Sequence, residues 1–218
     1  MSILNSIKAL FKNFSAKPDV LLTAEGVARL KNRYGEDFMS FLYKPEIDNV
    51  IRFEIPALLA FRKPYHDFFR HDHWPDKHPF NFPGPFYTGQ SDSCGTGDIE
   101  APENVMYGLH CCEYVFRQPR NFAELSCVFE AAAVEVLDSY SCNGNKYWTY
   151  ELCKEWWRNR FDLIAQLYDP EVKRFNGGRI HLYIDYLNSE AETDLKRYCF
   201  FLENNYYPND ININLPDL

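Results

Sequence analysis

Residues 112–132 read CEYVFRQPRNFAELSCVFEAA, and in this stretch a strand signal is followed by a helix signal. Polar and apolar side chains alternate over 112–117, which predicts a β-strand that pairs in a hairpin with Val105–Tyr107. Asn121 and Glu124 then stand three residues apart, as in a capping box that opens a helix. The apolar residues that follow recur at helical spacing and predict its buried side: Leu125, Val128, Phe129 and Ala132. A hairpin beside an amphipathic helix predicts an α+β fold.

Helices and a second strand are predicted on the amino-terminal side of this stretch. Apolar residues at helical spacing over 3–14 indicate an amphipathic helix. Thr23 is the expected cap of a second helix, which ends near Gly35. Residues 50–55 alternate between apolar and polar side chains, which predicts a strand. The helices within 1–45 are a candidate for a small subdomain.

A long helix, a strand and a final helix are predicted on the carboxy-terminal side. Thr149 is expected to cap the long helix, which runs to about Tyr168. Ile180–Leu187 is apolar and alternating, which predicts the most convincing strand of the chain. Ser189 and Glu192 form a second capping box ahead of the last helix. We therefore expect a single α+β domain of 218 residues, with five or six helices and a small, mostly antiparallel sheet.

A long segment rich in proline and glycine occupies 62–104, where six of the 13 prolines and four of the 10 glycines lie. Proline at this density prevents long helices and interior strands. Loops of this length inside compact domains are usually functional or disordered. Because the segment also carries many aromatic side chains, we expect an ordered loop that packs on the body of the domain.

Composition and charge exclude several classes of function. Aromatic residues make up 17% of the chain, which is typical of a folded protein and not of a disordered one. The formal net charge is −8, whereas phosphate backbones are bound by clustered Lys and Arg, so nucleic acid is not an expected partner. The sequence has no run of 18 apolar residues and no signal-peptide pattern. We therefore expect a cytoplasmic protein without a membrane partner.

The seven cysteines show no spacing typical of a metal cluster. An iron–sulfur centre or a zinc ribbon needs closely spaced thiolates such as C-x-x-C, which does not occur. An odd number of cysteines, two of them adjacent at Cys111 and Cys112, favours free thiols in a reducing cytosol. We therefore expect no cofactor.

Four histidines offer a metal site as one alternative. His66, His71, His73 and His78 follow an H-x₄-H-x-H-x₄-H spacing. Imidazole is a good ligand for zinc or iron, and His71 and His73 would share one face of an extended chain. A metal-dependent enzyme is therefore one alternative function. The competing interpretation is that these histidines are hydrogen-bonded packing residues in an aromatic-rich loop.

Cys94 offers a second enzymatic alternative, since it stands in the sequence Cys94-Gly-Thr-Gly97. An exposed thiol on a turn acts as a nucleophile when a base such as His110 or His181 lies beside it. That arrangement would make the protein a thiol enzyme. The competing interpretation is a tight turn whose glycines adopt positive φ.

Acidic residues in the same long segment indicate a docking surface. Asp92, Asp98, Glu100 and Glu103 lie close together, and Tyr87 precedes them. Acidic inhibitors capture basic enzymes with such surfaces, because complementary charge speeds association and adds specificity. We predict that these five residues contact a partner protein with a basic surface. The alternative is an ordinary solvated loop.

The middle of the chain resembles a group of bacterial proteins. The resemblance rests on FPGPFYTG at 82–89, CGTG at 94–97, RQP at 117–119 and EWW at 155–157. Members are often labelled ferredoxin, and they are similar to immunity proteins encoded beside secreted antibacterial toxins, including those delivered by type VI secretion. The resemblance covers about residues 80–160 and implies a cytoplasmic protein that binds its cognate toxin and blocks it. It assigns no roles to residues, and the ferredoxin label conflicts with the cysteine spacing.

Overall fold

The computed structural model describes residues 24–59, 69–210 and 212–218. The amphipathic helix predicted at 3–14 and the candidate ligand His66 lie outside these residues. Helices make up most of the regular structure, and the strands are short. Within the described ranges, no helix combines the length and the hydropathy needed to cross a lipid bilayer.

Short elements follow one another along the chain. The helices are α1 Ala24–Tyr34, α2 Phe38–Leu42, α3 Ile47–Asn49, α4 Ile55–Leu58, α5 Gly97–Glu100, α6 Phe122–Val134, α7 Tyr150–Arg158, α8 Arg160–Leu167, α9 Pro170–Asn176, α10 Ile180–Leu187 and α11 Ala191–Asn204. The strands are β1 Tyr87–Thr88, β2 Val105–Tyr107, β3 Glu113–Val115 and β4 Tyr140–Ser141. The coarse prediction of an α+β fold is therefore confirmed.

The central hairpin forms as predicted, and the capping box forms in part, because the Glu124 carboxylate accepts the N–H of Arg120 in place of that of Asn121. β2 and β3 pair antiparallel, with Val105 opposite Val115. The Asn121 side chain accepts a hydrogen bond from the Glu124 backbone N–H at 2.9 Å and opens α6. The single small sheet that we expected is divided, however, because β1 and β4 form a separate antiparallel ladder.

The strand predicted at 50–55 is wrong, because this segment is helical. Residues 47–58 form α3, a π-helical turn at Val50–Glu54 and α4 in unbroken succession. The Ile55 N–H donates to the Val50 carbonyl five residues back, which is the π pattern. The short alternation concealed a longer helical pattern in which every fourth side chain is buried: Ile47, Ile51, Ile55 and Leu59.

The strand predicted at Ile180–Leu187 is also wrong, since these residues form α10. His181 and Asp185 are both exposed and stand four residues apart, so they share one face of the helix. The capping box predicted at Ser189 and Glu192 does not form. Instead, the Ser189 hydroxyl donates to the Asp185 carbonyl, and no side chain caps α11. The buried residues of α10 have helical spacing: Ile180, Tyr183, Tyr186 and Leu187.

The long helix predicted from Thr149 is present in two pieces. The Thr149 hydroxyl accepts a hydrogen bond from the Leu152 N–H at 3.2 Å and opens α7. Asn159 then separates α7 from α8. α8 ends at Leu167, close to the predicted end at about Tyr168, and Asp169 then caps α9 by accepting the Glu171 N–H.

The described part of the proline- and glycine-rich segment runs through the interior, and residues 80–89 are all buried. Buried backbone groups need hydrogen-bond partners. Asn81 exchanges hydrogen bonds with both the N–H and the carbonyl of Thr88. The Gln118 side chain, which follows the hairpin in the chain, likewise accepts the N–H of Phe86 and donates to its carbonyl. Two buried amide side chains therefore supplement the short β1–β4 ladder in satisfying the backbone of this segment.

One hydrophobic cluster joins the described elements. It extends from Leu30 in α1 to Tyr207 beyond α11. Aromatic rings dominate it, as in the edge-to-face pair of Phe38 and Phe122, whose centroids lie 4.9 Å apart. The high aromatic content of the sequence is therefore explained largely by the interior.

Candidate functional site

The structure places the five predicted partner contacts in different environments. Tyr87 is completely buried, and its hydroxyl is hydrogen-bonded inside the fold. Asp92 is buried as well. Glu103 is exposed, while Asp98 and Glu100 are half-buried. A buried side chain cannot touch a partner unless its surroundings open, so Tyr87 and Asp92 belong to the framework of the fold.

Arginine already neutralises two of the other carboxylates. Asp98 pairs with Arg179, and Glu103 pairs with Arg117 at 2.9 Å. Glu100, in contrast, forms no ion pair with any residue in the described part of the chain. The predicted acidic cluster is therefore less negative at the surface than the sequence implies.

Asp92 and Glu135 fasten two loops to each other, and we call residues 89–99 and 134–139 the paired loops. Glu135 Oε1 accepts a hydrogen bond from the Asp92 N–H at 2.9 Å, and Asp92 Oδ2 accepts one from the Val136 N–H at 3.1 Å. Glu135 Oε2 also accepts two backbone N–H groups of its own loop. Because hydrogen bonds to charged groups are strong, this exchange holds both loops in one conformation.

Apolar side chains project into solvent from the paired loops. Val136 is 73% exposed and Leu137 is 58% exposed, while Ile99 is 71% exposed. Single exposed apolar residues are ordinary, but several on adjoining rigid loops indicate an interaction surface. Residues 134–139 could not be predicted as a surface from the sequence, because an exposed apolar loop and a buried one can have the same amino-acid composition.

The histidines predicted as metal ligands support the edge of this surface. His71 Nδ1 lies 2.5 Å from Asp138 Oδ2, and His73 Nε2 lies 2.7 Å from the Asp138 carbonyl oxygen. His78 instead stacks on Tyr114, and burial lowers the pKa of His78 to about 4. Among the described residues, no three His, Cys, Asp or Glu side chains are placed to hold a metal ion. The described histidines therefore serve as hydrogen-bonding and packing residues.

Cys94 is exposed, but its surroundings do not activate the thiol. A hydrogen bond to the Asp92 carboxylate, together with the charge of that group, raises the pKa of Cys94. A nucleophilic cysteine needs a lowered pKa and a neighbouring base. Both candidate bases, His110 and His181, make their polar contacts with other groups. Gly95 has a φ of +68°, which fits the interpretation as a tight turn.

A buried acid adjoins the first of the paired loops. Glu113 Oε1 accepts a hydrogen bond from the Gly97 N–H at 2.8 Å, and Oε2 accepts one from the Tyr140 hydroxyl at 2.7 Å. Burial raises the pKa of Glu113 to about 7, and the charges of Asp92 and Glu135 act in the same direction. A Cβ atom at residue 97 would lie 2.3 Å from the carboxylate. The second glycine of the CGTG motif therefore makes room for this acid.

An open groove of about 550 Å³ is a second candidate site, and we call it the tryptophan groove. The Lys77 ammonium lies 5.3 Å from the ring centroid of Trp74 and 4.7 Å from that of Trp148. The sequence did not reveal this site, because Lys77 and Trp148 lie far apart in the chain and nothing in the sequence shows that they meet. The residues that shape the groove include Trp74, Lys77, Phe80, Trp148, Glu155 and Asp162.

Comparisons with protein-family models, with curated proteins and with solved structures find nothing that matches this chain. The paired loops and the tryptophan groove are therefore the observations that bear on function.

Proposed function

We propose that this chain is an immunity-type binding protein, which captures a protein toxin through the paired loops and occludes the toxin's active site. The supporting observation is that Val136 and Leu137 are exposed on a backbone whose N–H groups bond the Asp92 and Glu135 carboxylates. Ile99 is exposed on the helical turn α5, which follows Asp92 in the chain. The resemblance of residues 80–160 to bacterial immunity proteins favours the same function.

A rigid apolar surface favours tight binding. Immobilising a flexible side chain at an interface costs roughly 0.5–1.5 kcal/mol. Because hydrogen bonds from Asp92 and Glu135 already order the backbone of the paired loops, binding need not order that backbone in addition. Full burial of a side chain such as Val136 or Leu137 contributes roughly 1.5–3 kcal/mol.

Charge favours a basic partner. The chain carries a formal net charge of −8. Glu100 lies next to Ile99 in α5, and Asp138, which bonds His71, follows Leu137 on the second loop. Complementary charge accelerates encounter and excludes wrong partners. We therefore expect a toxin with a basic rim around its active site, captured in the cytoplasm.

The test uses the product of the neighbouring gene in the source genome, purified as an inactive variant. Titration calorimetry should give a tight complex with the unaltered chain. Leu137→Asp should weaken that complex by about 100-fold, because a charge would be buried without a partner. Phe161→Asp is the matched control, since Phe161 is 62% exposed on α8 and lies outside the paired loops. Its effect should stay within about twofold.

Growth assays give an independent readout. Co-expression of the unaltered chain should restore growth of cells that make the active toxin, and Leu137→Asp should fail to do so. If the two substitutions weaken binding equally, the paired loops are not the interface. If the unaltered chain does not bind the neighbouring gene product, the immunity-type function itself is refuted.

A further inference from the structure

The tryptophan groove contains a cation with no anion beside it. Lys77 Nζ is flanked by the rings of Trp74 and Trp148. It makes no ion pair or hydrogen bond with any group in the described ranges. Burial lowers the pKa of Lys77 to about 8, and the nearby group that opposes this shift is the Cys153 thiol rather than a carboxylate.

A partly desolvated ammonium without a counter-ion is unfavourable, and proteins usually pair or remove such charges. The contacts with two indole rings offset roughly 0.5–2 kcal/mol of this cost. A methionine in place of Lys77 would fill similar space with no such cost. An acceptor from outside the described residues would offset the remaining cost.

A second donor in the same wall also lacks an acceptor. The Trp148 side chain is more than nine-tenths buried, and its Nε1–H has no hydrogen-bond partner in the described structure. Indole N–H groups usually find a partner when they are buried. Trp156 follows that rule, since its Nε1–H donates to the Pro79 carbonyl at 3.2 Å. In the described structure Trp148 thus carries a buried, unsatisfied N–H on the ring whose centroid lies 4.7 Å from Lys77 Nζ.

The rest of the groove is apolar or acidic. Phe80 and Trp156 supply apolar lining, while Glu155 and Asp162 line the wall formed by α7 and α8. Neither carboxylate is among the groups that influence the pKa of Lys77. An anionic group is therefore attracted at the Lys77 end of the groove and repelled along the helical wall.

We propose that the tryptophan groove binds an organic carboxylate, whose oxygens accept hydrogen bonds from Lys77 Nζ beside the rings of Trp74 and Trp148. The aromatic or aliphatic body of the ligand lies along Phe80 and Trp156. Charge complementarity selects this class, because Lys77 has no carboxylate partner in the described structure and apolar rings line the neighbouring surface. The site does not depend on toxin binding, since none of its residues belongs to the paired loops.

Phenylacetate and phenylacetamide are suitable probes, because they share one shape and differ in charge. Their binding to the full chain is followed through the indole N–H resonances, with Trp148→Phe used to assign the signal of Trp148. Phenylacetate should shift that signal and bind at least about 10-fold more tightly than the amide. Lys77→Met should abolish the preference, and Lys77→Arg should retain most of it. Lys154→Met is the matched control, because Lys154 packs on Tyr150 and does not line the groove.

Several results would overturn the proposal. Equal affinity for the two probes would show that the carboxylate is not recognised. If Lys77→Met is folded by thermal melting and still binds phenylacetate, Lys77 does not contact the carboxylate. No shift of the Trp148 signal at about 10 mM phenylacetate would exclude a site for this class of ligand. Inorganic phosphate should bind more weakly than phenylacetate, and equal binding would contradict the role of the apolar surface.

Discussion

Replacing Glu113 by glutamine should remove a specific pH dependence of stability. Burial raises the pKa of this carboxyl from its ordinary 4.5 to about 7. Each unit of pKa difference between the folded and unfolded chain corresponds to about 1.4 kcal/mol. The free energy of unfolding should therefore differ by about 3 kcal/mol between pH values at which Glu113 is fully protonated and fully ionised.

The sign follows from the number of bound protons. Between pH 4.5 and about 7, folded Glu113 retains a proton that the unfolded chain has released. The folded state binds more protons in this window, so the free energy of unfolding falls as the pH rises. The stabilisation by the protonated acid is complete below pH 4.5 and is lost as the pH rises through about 7.

Glutamine keeps the shape of Glu113 and removes its titration. Its side-chain oxygen can accept the Gly97 N–H, but its amide nitrogen forces the Tyr140 hydroxyl to act as an acceptor. A perturbed hydrogen bond of this kind costs about 1 kcal/mol. The variant and the unaltered chain should therefore have similar stability near pH 5. At pH 8 the variant should be about 2 kcal/mol more stable.

Urea unfolding between pH 5 and pH 8, followed by tryptophan fluorescence, measures the difference directly. Every other group titrates in both proteins, so the difference between their stability profiles isolates Glu113. Glu103→Gln serves as the control, since Glu103 is exposed and its removal should leave the slope of the profile unchanged. Parallel profiles for Glu113→Gln and the unaltered chain would refute the assignment of a protonated acid at this position.

Three further substitutions test other parts of the structure. Lys77→Met should raise the free energy of unfolding by about 1 kcal/mol in urea titrations, because it removes a charge that lacks a counter-ion; a destabilised variant would contradict this. Gly97→Ala should cost about 1–3 kcal/mol in the same assay, because its Cβ would meet the Glu113 carboxylate at 2.3 Å. Glu135→Ala should leave buried N–H groups without acceptors and cost about 2–4 kcal/mol. Limited proteolysis should then cut Glu135→Ala within the paired loops, and resistance equal to the parent would argue against the role of the carboxylate.

Local sequence patterns predicted the secondary structure correctly where the residues of a segment complete their own hydrogen bonds. The cap that Asn121 forms on the Glu124 N–H needs only four consecutive residues, and it was identified correctly. The hairpin of β2 and β3 is likewise a short-range structure. At 50–55 the alternation covered too few residues to separate a strand from a helix, and burial of every fourth side chain decided the outcome.

The candidate sites required tertiary information. Asp92 looked like a surface acid in the sequence, yet its carboxylate is turned inward to the backbone of the opposite loop. Glu135 makes the reciprocal bond from 43 residues away. Backbone N–H groups can take the place of water as hydrogen-bond donors to a buried carboxylate. Nothing in the local sequence distinguishes such a carboxylate from one that is solvated at the surface.

By itself, the sequence determined the mixed helical and strand composition, the central hairpin and the packed aromatic interior. It did so because these features depend on periodicity, capping and hydrophobic content, all of which are local. Tertiary structure alone decided that Val136 and Leu137 face solvent and that Lys77 lies between two indoles, with no carboxylate partner among the described residues. Exposure and electrostatic pairing are set by which distant segments meet, and that arrangement is a property of the whole packed chain.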